Sequence, residues 1–225
     1  MRRVLVFDVD GVLVDVTDSY REAICQTVAL YTGERPSREL IQDFKNRGGF
    51  NNDWRLTHRL VTDAGIEVVY EDVVARFNEL FMGANCDGLI TRERWIACDG
   101  LLERLAARWQ LAIFTSRMRY ELDATLARIG CGRLFHPTIT HDDVTRQKPA
   151  PDGLLAIAAA HPGAEMWYAG DTVDDANAAR AAGIPFIGIA APNNPGRPAL
   201  IDCLRAAGAR AIIDDINQLE SVLPA

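Results

Sequence analysis

The hydrophobic and polar positions divide the chain into two kinds of segment. Residues 3–7 form a valine-rich apolar run of strand length, which stops at two carboxylates and a glycine. From about residue 16 to residue 90, apolar residues recur at intervals of three and four, and no convincing strand pattern occurs. This spacing predicts four helices, over about residues 20–31, 40–44, 52–64 and 70–82.

After residue 90 the pattern alternates between short apolar strands and helical segments. Strands are predicted at residues 111–114, 138–140, 166–169, 186–189 and 211–213. Helices are predicted at residues 120–129, 154–160, 175–182 and 216–223. Residues 192–198, rich in proline and asparagine, indicate an exposed loop. Strands that alternate with helices imply right-handed crossovers, so we expect an α/β fold with a parallel sheet and helices on both faces.

Composition restricts the partners that the protein can have. Its 225 residues include 24 lysines and arginines against 31 aspartates and glutamates, a net charge of −7, without a basic cluster. This balance argues against nucleic acid and favours small-molecule partners. No stretch approaches the roughly 20 apolar residues of a membrane helix, and the first strand begins too early for a signal peptide. We therefore expect a cytoplasmic monomer or homodimer with no membrane partner.

The two carboxylates after the first strand give the first chemical signal. In extended chain, side chains two residues apart share a face, so Asp8 and Asp10 project together. Their repulsion is tolerable at neutral pH if a cation, a shared proton or cationic side chains offset it. A divalent metal is the simplest answer, and a plain turn is the alternative for Asp-Val-Asp-Gly.

Hydroxyl groups and a guanidinium follow a later strand of the same predicted sheet. Thr115, Ser116 and Arg117 come directly after residues 111–114, near a predicted helix start. Ligands of parallel sheets bind at the carboxyl ends of the strands, and these side chains suit a phosphate group. An ordinary helix cap is the alternative interpretation.

A lysine and three aspartates follow further along the chain. Lys148 precedes a proline that stiffens the backbone around the cation, and a solvated lysine is the alternative. Asp171 comes straight off the strand at residues 166–169. Asp174 and Asp175 stand at a predicted helix start, where the helix dipole alone would favour carboxylates. The dipole therefore explains Asp171 less well than its two neighbours.

In order and spacing, these segments resemble the four motifs of the haloacid dehalogenase superfamily. Those motifs are Asp-x-Asp, a Thr or Ser after the second core strand, a Lys and an acidic pair. The matching stretches are Asp8-Val9-Asp10-Gly11, Thr115, Lys148-Pro149-Ala150-Pro151 and Gly170-Asp171-Thr172-x-x-Asp175. The resemblance covers essentially the whole chain and is to subfamily I, which includes phosphoglycolate phosphatase and β-phosphoglucomutase. It implies a Rossmann-like core over residues 1–15 and 91–225, with an all-helical cap inserted at residues 16–90.

The resemblance also implies the catalytic roles. Asp8 would attack phosphorus and become an aspartyl phosphate, and Asp10 would act first as general acid and then as general base. Thr115 and Lys148 would bind the transferring phosphoryl group. A carboxylate is a workable nucleophile for this reaction when a metal and a lysine neutralise its charge and that of the phosphate. We therefore expect a phosphatase that acts on a small phosphorylated metabolite.

The cofactor implied by the same resemblance is Mg²⁺. Its ligands would be Asp8, the main-chain carbonyl of Asp10 and Asp171, with Asp175 supporting that shell. Oxygen-only ligands suit Mg²⁺, which keeps some of its waters.

Other activities within and beyond this superfamily remain open at this point. Dehalogenases resemble the chain less, because they generally lack an aspartate at the position of Asp10. A mutase would share the core and differ in the cap and in the lifetime of the aspartyl phosphate. A phosphonate hydrolase would use a cap lysine as a Schiff base, for which Lys45 is the single candidate, and a solvated lysine is the alternative. A non-catalytic binding scaffold would leave the motif set without a purpose.

Substrate choice is expected to lie in the cap. Residues 45–54 are its most polar and most glycine-broken segment, with aromatic residues interleaved. If this segment determines specificity, Lys45 or Arg47 would meet an anionic group and Asn51 a hydroxyl; a plain interhelical loop is the alternative. In the core, Ser116 would add to substrate binding, and Arg117 is either a second phosphate contact or a surface arginine.

Overall fold

The computed structural model describes residues 2–224. Its strands are β1 (Arg3–Phe7), β2 (Val14–Asp15), β3 (Arg94–Trp95), β4 (Gln110–Phe114), β5 (Phe135–Ile139), β6 (Glu165–Gly170), β7 (Phe186–Ile189) and β8 (Ala211–Ile213). Its α-helices are α1 (Tyr20–Thr32), α2 (Arg38–Arg47), α3 (Asp53–Asp63), α4 (Tyr70–Met82), α5 (Leu101–Ala106), α6 (Arg119–Ile129), α7 (Asp152–Ala160), α8 (Val173–Ala182), α9 (Arg197–Ala206) and α10 (Leu219–Val222). Short 3-10 turns occupy Leu89–Arg92, Gly132–Leu134, His141–Asp143 and Ile216–Gln218.

A six-stranded parallel sheet forms the core, in the order β5-β4-β1-β6-β7-β8. Side chains of β1 alternate between two apolar clusters, with Leu5 and Phe7 in one and Val4 and Val6 in the other. Such burial on both sides is what helices packed on both faces of a parallel sheet produce. The α/β fold with an inserted helical cap is thus confirmed.

The sheet register brings the polar strand ends together. Phe7, the last residue of β1, pairs with Ile113 of β4 on one side and with Ala169 of β6 on the other. The residues that follow these three strands therefore emerge side by side at one edge, as the order of the motifs predicts.

In the inserted block, α1, α3 and α4 pack on one another and α2 contacts the core helices α8 and α9. The predicted positions of the four helices are confirmed. The Tyr20 ring stacks on Phe81 at a centroid distance of 3.9 Å, and both side chains are buried. Ser37 and Asn52 cap α2 and α3 by accepting bonds from main-chain N–H groups in the first turn. We propose residues 16–90 as the extent of this cap.

Several elements differ from the sequence-based predictions. Strands β2 and β3 pair antiparallel where the chain enters and leaves the cap, and two residues each are too few to show an alternating pattern. Helix α9 begins at Arg197, so the loop predicted over residues 192–198 ends early; Pro198 lies in its first turn, where its missing N–H costs nothing. The last predicted helix is a 3-10 turn followed by a four-residue helix. Among residues 2–224, no helix is both long and apolar enough to cross a membrane.

Candidate active site

Asp8 and Lys148 form the centre of the site. Asp8 follows β1 directly, and its N–H donates to the Ala169 carbonyl at 2.9 Å, which continues the sheet by one residue. Lys148 Nζ lies 2.9 Å from Asp8 Oδ1 and 2.8 Å from Asp175 Oδ1, and its side chain is fully buried. The alternative interpretation of Lys148 as a solvated lysine is therefore wrong.

Asp171 supplies a second carboxylate beside Asp8. One oxygen each of Asp8, Asp171 and Asp175 lies within 4.8 Å of the others, a grouping that could hold a metal ion. Asp171 Oδ1 is buried and has no hydrogen-bond partner among the described residues. Gly11 makes room for this side chain, since a Cβ there would lie 2.1 Å from Asp171 Oδ2. An all-oxygen donor set with an unpartnered carboxylate fits a hard divalent cation such as Mg²⁺.

Asp175 is held differently from the other two carboxylates. Its Oδ1 accepts a hydrogen bond from the Tyr168 hydroxyl at 2.6 Å and pairs with Lys148. Its Oδ2 accepts from the N–H and the hydroxyl of Thr172 at 3.0 and 2.6 Å. With both oxygens occupied, Asp175 is placed to support a metal shell rather than to enter it.

The electrostatics follow from burial and from these pairings. Burial raises the pKa of Asp8 to about 7, although Lys148 opposes the rise. Burial raises the pKa of Asp171 well above its ordinary value, and the neighbouring carboxylates add to the effect. Burial alone would raise the pKa of Asp175, but Lys148 together with the hydrogen bonds from Thr172 and Tyr168 outweighs burial and lowers the pKa of that carboxyl. Lys148 alone does not balance the negative charge of these carboxylates. A bound divalent cation would supply the missing positive charge and favour the ionised forms of Asp8 and Asp171.

Arg117 connects Asp10 to a buried ion-pair network. Its guanidinium lies 2.6 Å from Asp10 Oδ1 and 2.7 Å from Glu93 Oε1, and its side chain is fully buried. Glu93 also accepts from Arg128 and from the Thr125 hydroxyl, each at 2.7 Å. Arg117 is therefore not a surface arginine, because its side chain is buried. It pairs with Asp10, the carboxylate expected to move protons. Glu93 could not be predicted from the sequence, because it directly precedes β3 in a stretch without a recognisable motif.

The second motif, which begins at Thr115, contacts the cap through Ser116 and Asn51. Thr115 is fully buried, and its hydroxyl accepts from the Arg117 N–H at 3.2 Å. Asn51 Nδ2 donates to Ser116 Oγ at 2.9 Å, across the gap between cap and core. Both Asn51 and Ser116 line the space in front of Asp8.

A small cavity, here termed the Asp8 cavity, contains several of the predicted residues. Its lining consists of Asp8, Asp10, Val16, Arg21, Lys45, Asn51, Asp53, Ser116, Asp171 and Thr172. Lys45 is buried, and its Nζ lies 2.6 Å from Asp53 Oδ1, so a lysine on a solvated helix face is ruled out. Arg47 is exposed, and its guanidinium lies 5.0 Å from the centre of the Phe44 ring. Among the described residues, Arg47 does not line the Asp8 cavity. A groove of about 270 Å³ beside Asp171 and Arg21 adjoins the cavity.

Asp174 fastens the cap to the core. Its Oδ1 accepts from the Gly49 N–H at 2.9 Å, and its Oδ2 accepts from the Asn51 N–H at 3.2 Å. Gly48 and Gly49 both have φ near +79°, a region that favours glycine, which turns these N–H groups toward the carboxylate. The helix-dipole interpretation of Asp174 is thus incomplete, because this side chain bonds residues more than 120 positions away.

Comparison with known proteins places this geometry in a family. The chain is 35% identical over 239 aligned residues to an imidazoleglycerol-phosphate dehydratase of Phytophthora nicotianae, covering 98% of this chain and 52% of that protein. It is 28% identical over 221 residues to a phosphoglycolate phosphatase of Pseudomonas fluorescens, covering 91% of this chain and 78% of that protein. The chain thus spans about half the length of the first relative.

The fold likeness extends to solved structures. A Bacteroides fragilis protein described as a haloacid dehalogenase-like hydrolase superposes with a TM-score of 0.76 at 20% identity, covering 97% of this chain and all of that one. Residues 2–183 match the haloacid dehalogenase-like hydrolase family. The chain therefore belongs to the haloacid dehalogenase-like hydrolase family.

Proposed function

We propose that this hydrolase is a Mg²⁺-dependent phosphatase that cleaves a small phosphate monoester through an aspartyl phosphate on Asp8. The observation that carries the proposal is the position of Asp8 between the Lys148 ammonium and the Asp171 carboxylate, whose Oδ1 has no hydrogen-bond partner among the described residues. A nucleophilic carboxylate needs cations on both sides when a dianionic phosphate approaches it.

The metal would be held by Asp8, Asp171 and the main-chain carbonyl of Asp10, with Asp175 supporting them. When bound, Mg²⁺ would neutralise the charge that develops on the phosphoryl oxygens. Lys148 and Thr115 would hold the same phosphoryl group from the protein side, since both lie at the sheet edge beside Asp8.

Two steps then account for hydrolysis. In the first, an Asp8 oxygen bonds to phosphorus and the ester P–O bond breaks, while Asp10 gives a proton to the departing alcohol. In the second, Asp10 takes a proton from water, whose oxygen bonds to phosphorus as the Asp8–phosphorus bond breaks and phosphate leaves. Arg117 keeps Asp10 in position for both transfers through its bonds of 3.1 and 2.6 Å.

The cap would exclude bulk water and contact the alcohol portion of the substrate. Asn51 and Ser116 are the cap and core residues best placed for this contact, because they meet across the cavity. Lys45 would face the phosphate side of the cavity and Arg117 would act through Asp10. We assign no substrate contact to Arg47, which stacks on Phe44.

The phosphonate hydrolase alternative has less support. A Schiff-base lysine must offer its amine to a carbonyl, whereas Lys45 Nζ is engaged by Asp53 Oδ1 at 2.6 Å. Phosphonoacetaldehyde should therefore not be cleaved by the wild-type protein. Cleavage that disappears in Lys45→Ala would establish the phosphonatase instead.

The experiment for the proposed function is a phosphate-release screen. The panel should contain phosphoglycolate and phosphate esters of imidazole-bearing alcohols, to which the two named relatives point, and sugar phosphates, to which the resemblance to β-phosphoglucomutase points. We expect release with Mg²⁺ and none with Asp8→Asn or after chelation of the metal. Silence across the panel with every divalent metal would favour a binding scaffold, and isomerisation of a sugar phosphate without release would favour a mutase.

A further inference from the structure

A second cavity adjoins the Asp8 cavity and contains a carboxylate that the mechanism above does not use. This Glu121 cavity shares Asp10, Asn51, Asp53 and Ser116 with the Asp8 cavity and extends to Glu121. The shared lining includes the proposed acid Asp10, so the Glu121 cavity lies on the side where the departing alcohol would sit. Its volume is about 30 Å³, so a small group fits and the cap must move to admit it.

One carboxylate oxygen of Glu121 is bonded within the protein, and the other is available for a ligand. The residue is 1% exposed, and its Oε1 has no hydrogen-bond partner among residues 2–224. Its other oxygen accepts from the Met118 N–H at 2.9 Å, which fixes the side chain at the start of α6. Burial raises the pKa of Glu121 to about 7, although nearby Arg117 and the Tyr20 hydroxyl oppose the rise. A buried carboxylate oxygen without a donor is costly unless something enters to supply one.

The other charges around this cavity cancel in pairs. Asp10 and Glu93 are offset by Arg117 and Arg128, at distances of 2.6 to 2.7 Å. Asp53 is offset by Lys45 at 2.6 Å and by Arg21 at 3.7 Å. Glu121 is the carboxylate of this set that has no ion-pair partner within 4.0 Å among the described residues.

Two aromatic side chains also line the Glu121 cavity. Trp54 and Tyr20 both line the Glu121 cavity, and Trp54 Nε1 is already committed to Asn78 at 3.1 Å. The Tyr20 ring already stacks on Phe81 and has the Arg117 guanidinium 5.0 Å from its centre. Neither Lys45 nor Arg47 is among the described residues that line this cavity, so the expectation that one of them meets an anionic group of the substrate finds no support on this side of the site.

We propose that Glu121 selects phosphate monoesters whose alcohol portion carries a protonated amine, which would donate to its free oxygen. This inference rests on the proposed phosphatase function and specifies the substrate class of the same site. It disfavours esters whose alcohol portion carries a carboxylate, since these would place a second negative charge beside Glu121.

Three esters of nearly equal size separate the possibilities. O-phosphoethanolamine carries an ammonium at the far end, ethyl phosphate carries no charge there, and phosphoglycolate carries a carboxylate. We expect kcat/KM with Mg²⁺ to fall in that order, with roughly tenfold or more between the first two. Equal values, or a preference for phosphoglycolate, would overturn the inference.

The variant Glu121→Gln keeps the shape of the side chain and removes its charge. We expect it to bring the ratio of kcat/KM for O-phosphoethanolamine and ethyl phosphate close to one. Glu103→Gln, an exposed substitution on α5, is the matched control and should keep the wild-type ratio. An unchanged ratio in Glu121→Gln would contradict the inference.

Binding in the absence of turnover keeps this test separate from the proposed function. Titration calorimetry of the three esters with Mg²⁺ on Asp8→Asn, and on Asp8→Asn combined with Glu121→Gln, measures selectivity without any hydrolysis. If wild-type protein releases no phosphate but Asp8→Asn prefers the amine ester, the phosphatase fails and the amine subsite stands. If phosphate is released without such a preference, the phosphatase stands and the subsite fails.

Discussion

At the scale of single residues, most of the candidate site is a set of carboxylates whose charge must be offset. Asp8 and Asp175 share Lys148, and Asp10 shares Arg117 with Glu93. Asp171 has a buried oxygen with no donor among the described residues. Lys148 and Arg117 each pair with two carboxylates. Removal of either cation therefore leaves two carboxylates whose mutual repulsion that cation no longer offsets.

Loss of Arg117 should destabilise the fold as well as impair catalysis. Arg117→Ala leaves the buried Glu93 with fewer partners and removes the group that holds Asp10, which should lower the free energy of unfolding by about 3–5 kcal/mol. Arg146→Ala breaks an exposed pair with Asp152 and should cost no more than about 1 kcal/mol. Urea unfolding measures both, and similar costs in the two variants would refute the network as described.

A divalent cation should stabilise the protein through Asp171. At a Mg²⁺ concentration about 100 times its dissociation constant, binding adds about 2.7 kcal/mol, which should raise Tm by about 5 °C or more. Asp171→Ala should lose this shift, because a principal ligand is gone, whereas Asp99→Ala on an exposed loop should keep it. Differential scanning calorimetry with and without Mg²⁺ measures this shift in Tm. An equal shift in both variants would mean that the metal binds away from Asp171.

At the scale of elements, the loop between α2 and α3 decides how the cap meets the core. Two consecutive glycines with positive φ turn the Gly49 and Asn51 N–H groups toward Asp174 at the start of α8. The sequence indicated this loop through its glycines and polar residues, but no local pattern could have paired it with Asp174. That contact joins segments far apart in the chain, and local periodicity carries no information about such distances.

Release of this contact should open the cap. Asp174→Ala removes a charged acceptor of two main-chain N–H groups, so kcat/KM should fall roughly tenfold or more while the circular dichroism spectrum stays unchanged. Limited proteolysis within residues 48–52 should become faster in the same variant. Asn177→Ala, further along α8, is the control; if it behaves like Asp174→Ala, the effect belongs to the helix and not to the cap contact.

The elements themselves were predictable where their pattern was long enough. The cap helices and the strands β4, β6, β7 and β8 lie at the predicted places, because their apolar periodicity extends over several residues. Strands β2 and β3 were missed because two residues give no period. Of the site, the motif residues were predicted from their positions at strand ends, and Trp54 belongs to the cap segment that the sequence singled out. Glu121 and Glu93 reach the site from a helix and a loop whose sequence carries no such signal.

At the scale of the whole molecule, a buried acid whose pKa is raised makes stability depend on pH. Burial raises the pKa of Glu121 from 4.5 to about 7. Between these values the folded state binds more protons at this carboxyl than the unfolded state, so its effect on stability becomes less favourable as pH rises. The change at this site amounts to about 3 kcal/mol at full ionisation.

The variant Glu121→Gln should therefore gain in stability relative to wild type as the pH increases. Near pH 4 both side chains are neutral and the two proteins should differ little, whereas near pH 8 the variant should be more stable by about 3 kcal/mol. Denaturant unfolding of both proteins at several pH values measures this difference. A constant difference across that range would mean that Glu121 finds a partner in the folded protein.

The central claim is that Asp8 carries the phosphoryl group during turnover, and acid quenching tests it directly. Wild-type protein mixed with Mg²⁺ and excess p-nitrophenyl phosphate, quenched within the first turnover and digested, should give a phosphorylated peptide that contains Asp8. Asp10→Asn should accumulate this peptide if the water step needs its base, and Asp8→Asn should give none. Turnover by Asp8→Asn comparable to wild type, or a phosphoryl group attached to another residue, would contradict the account.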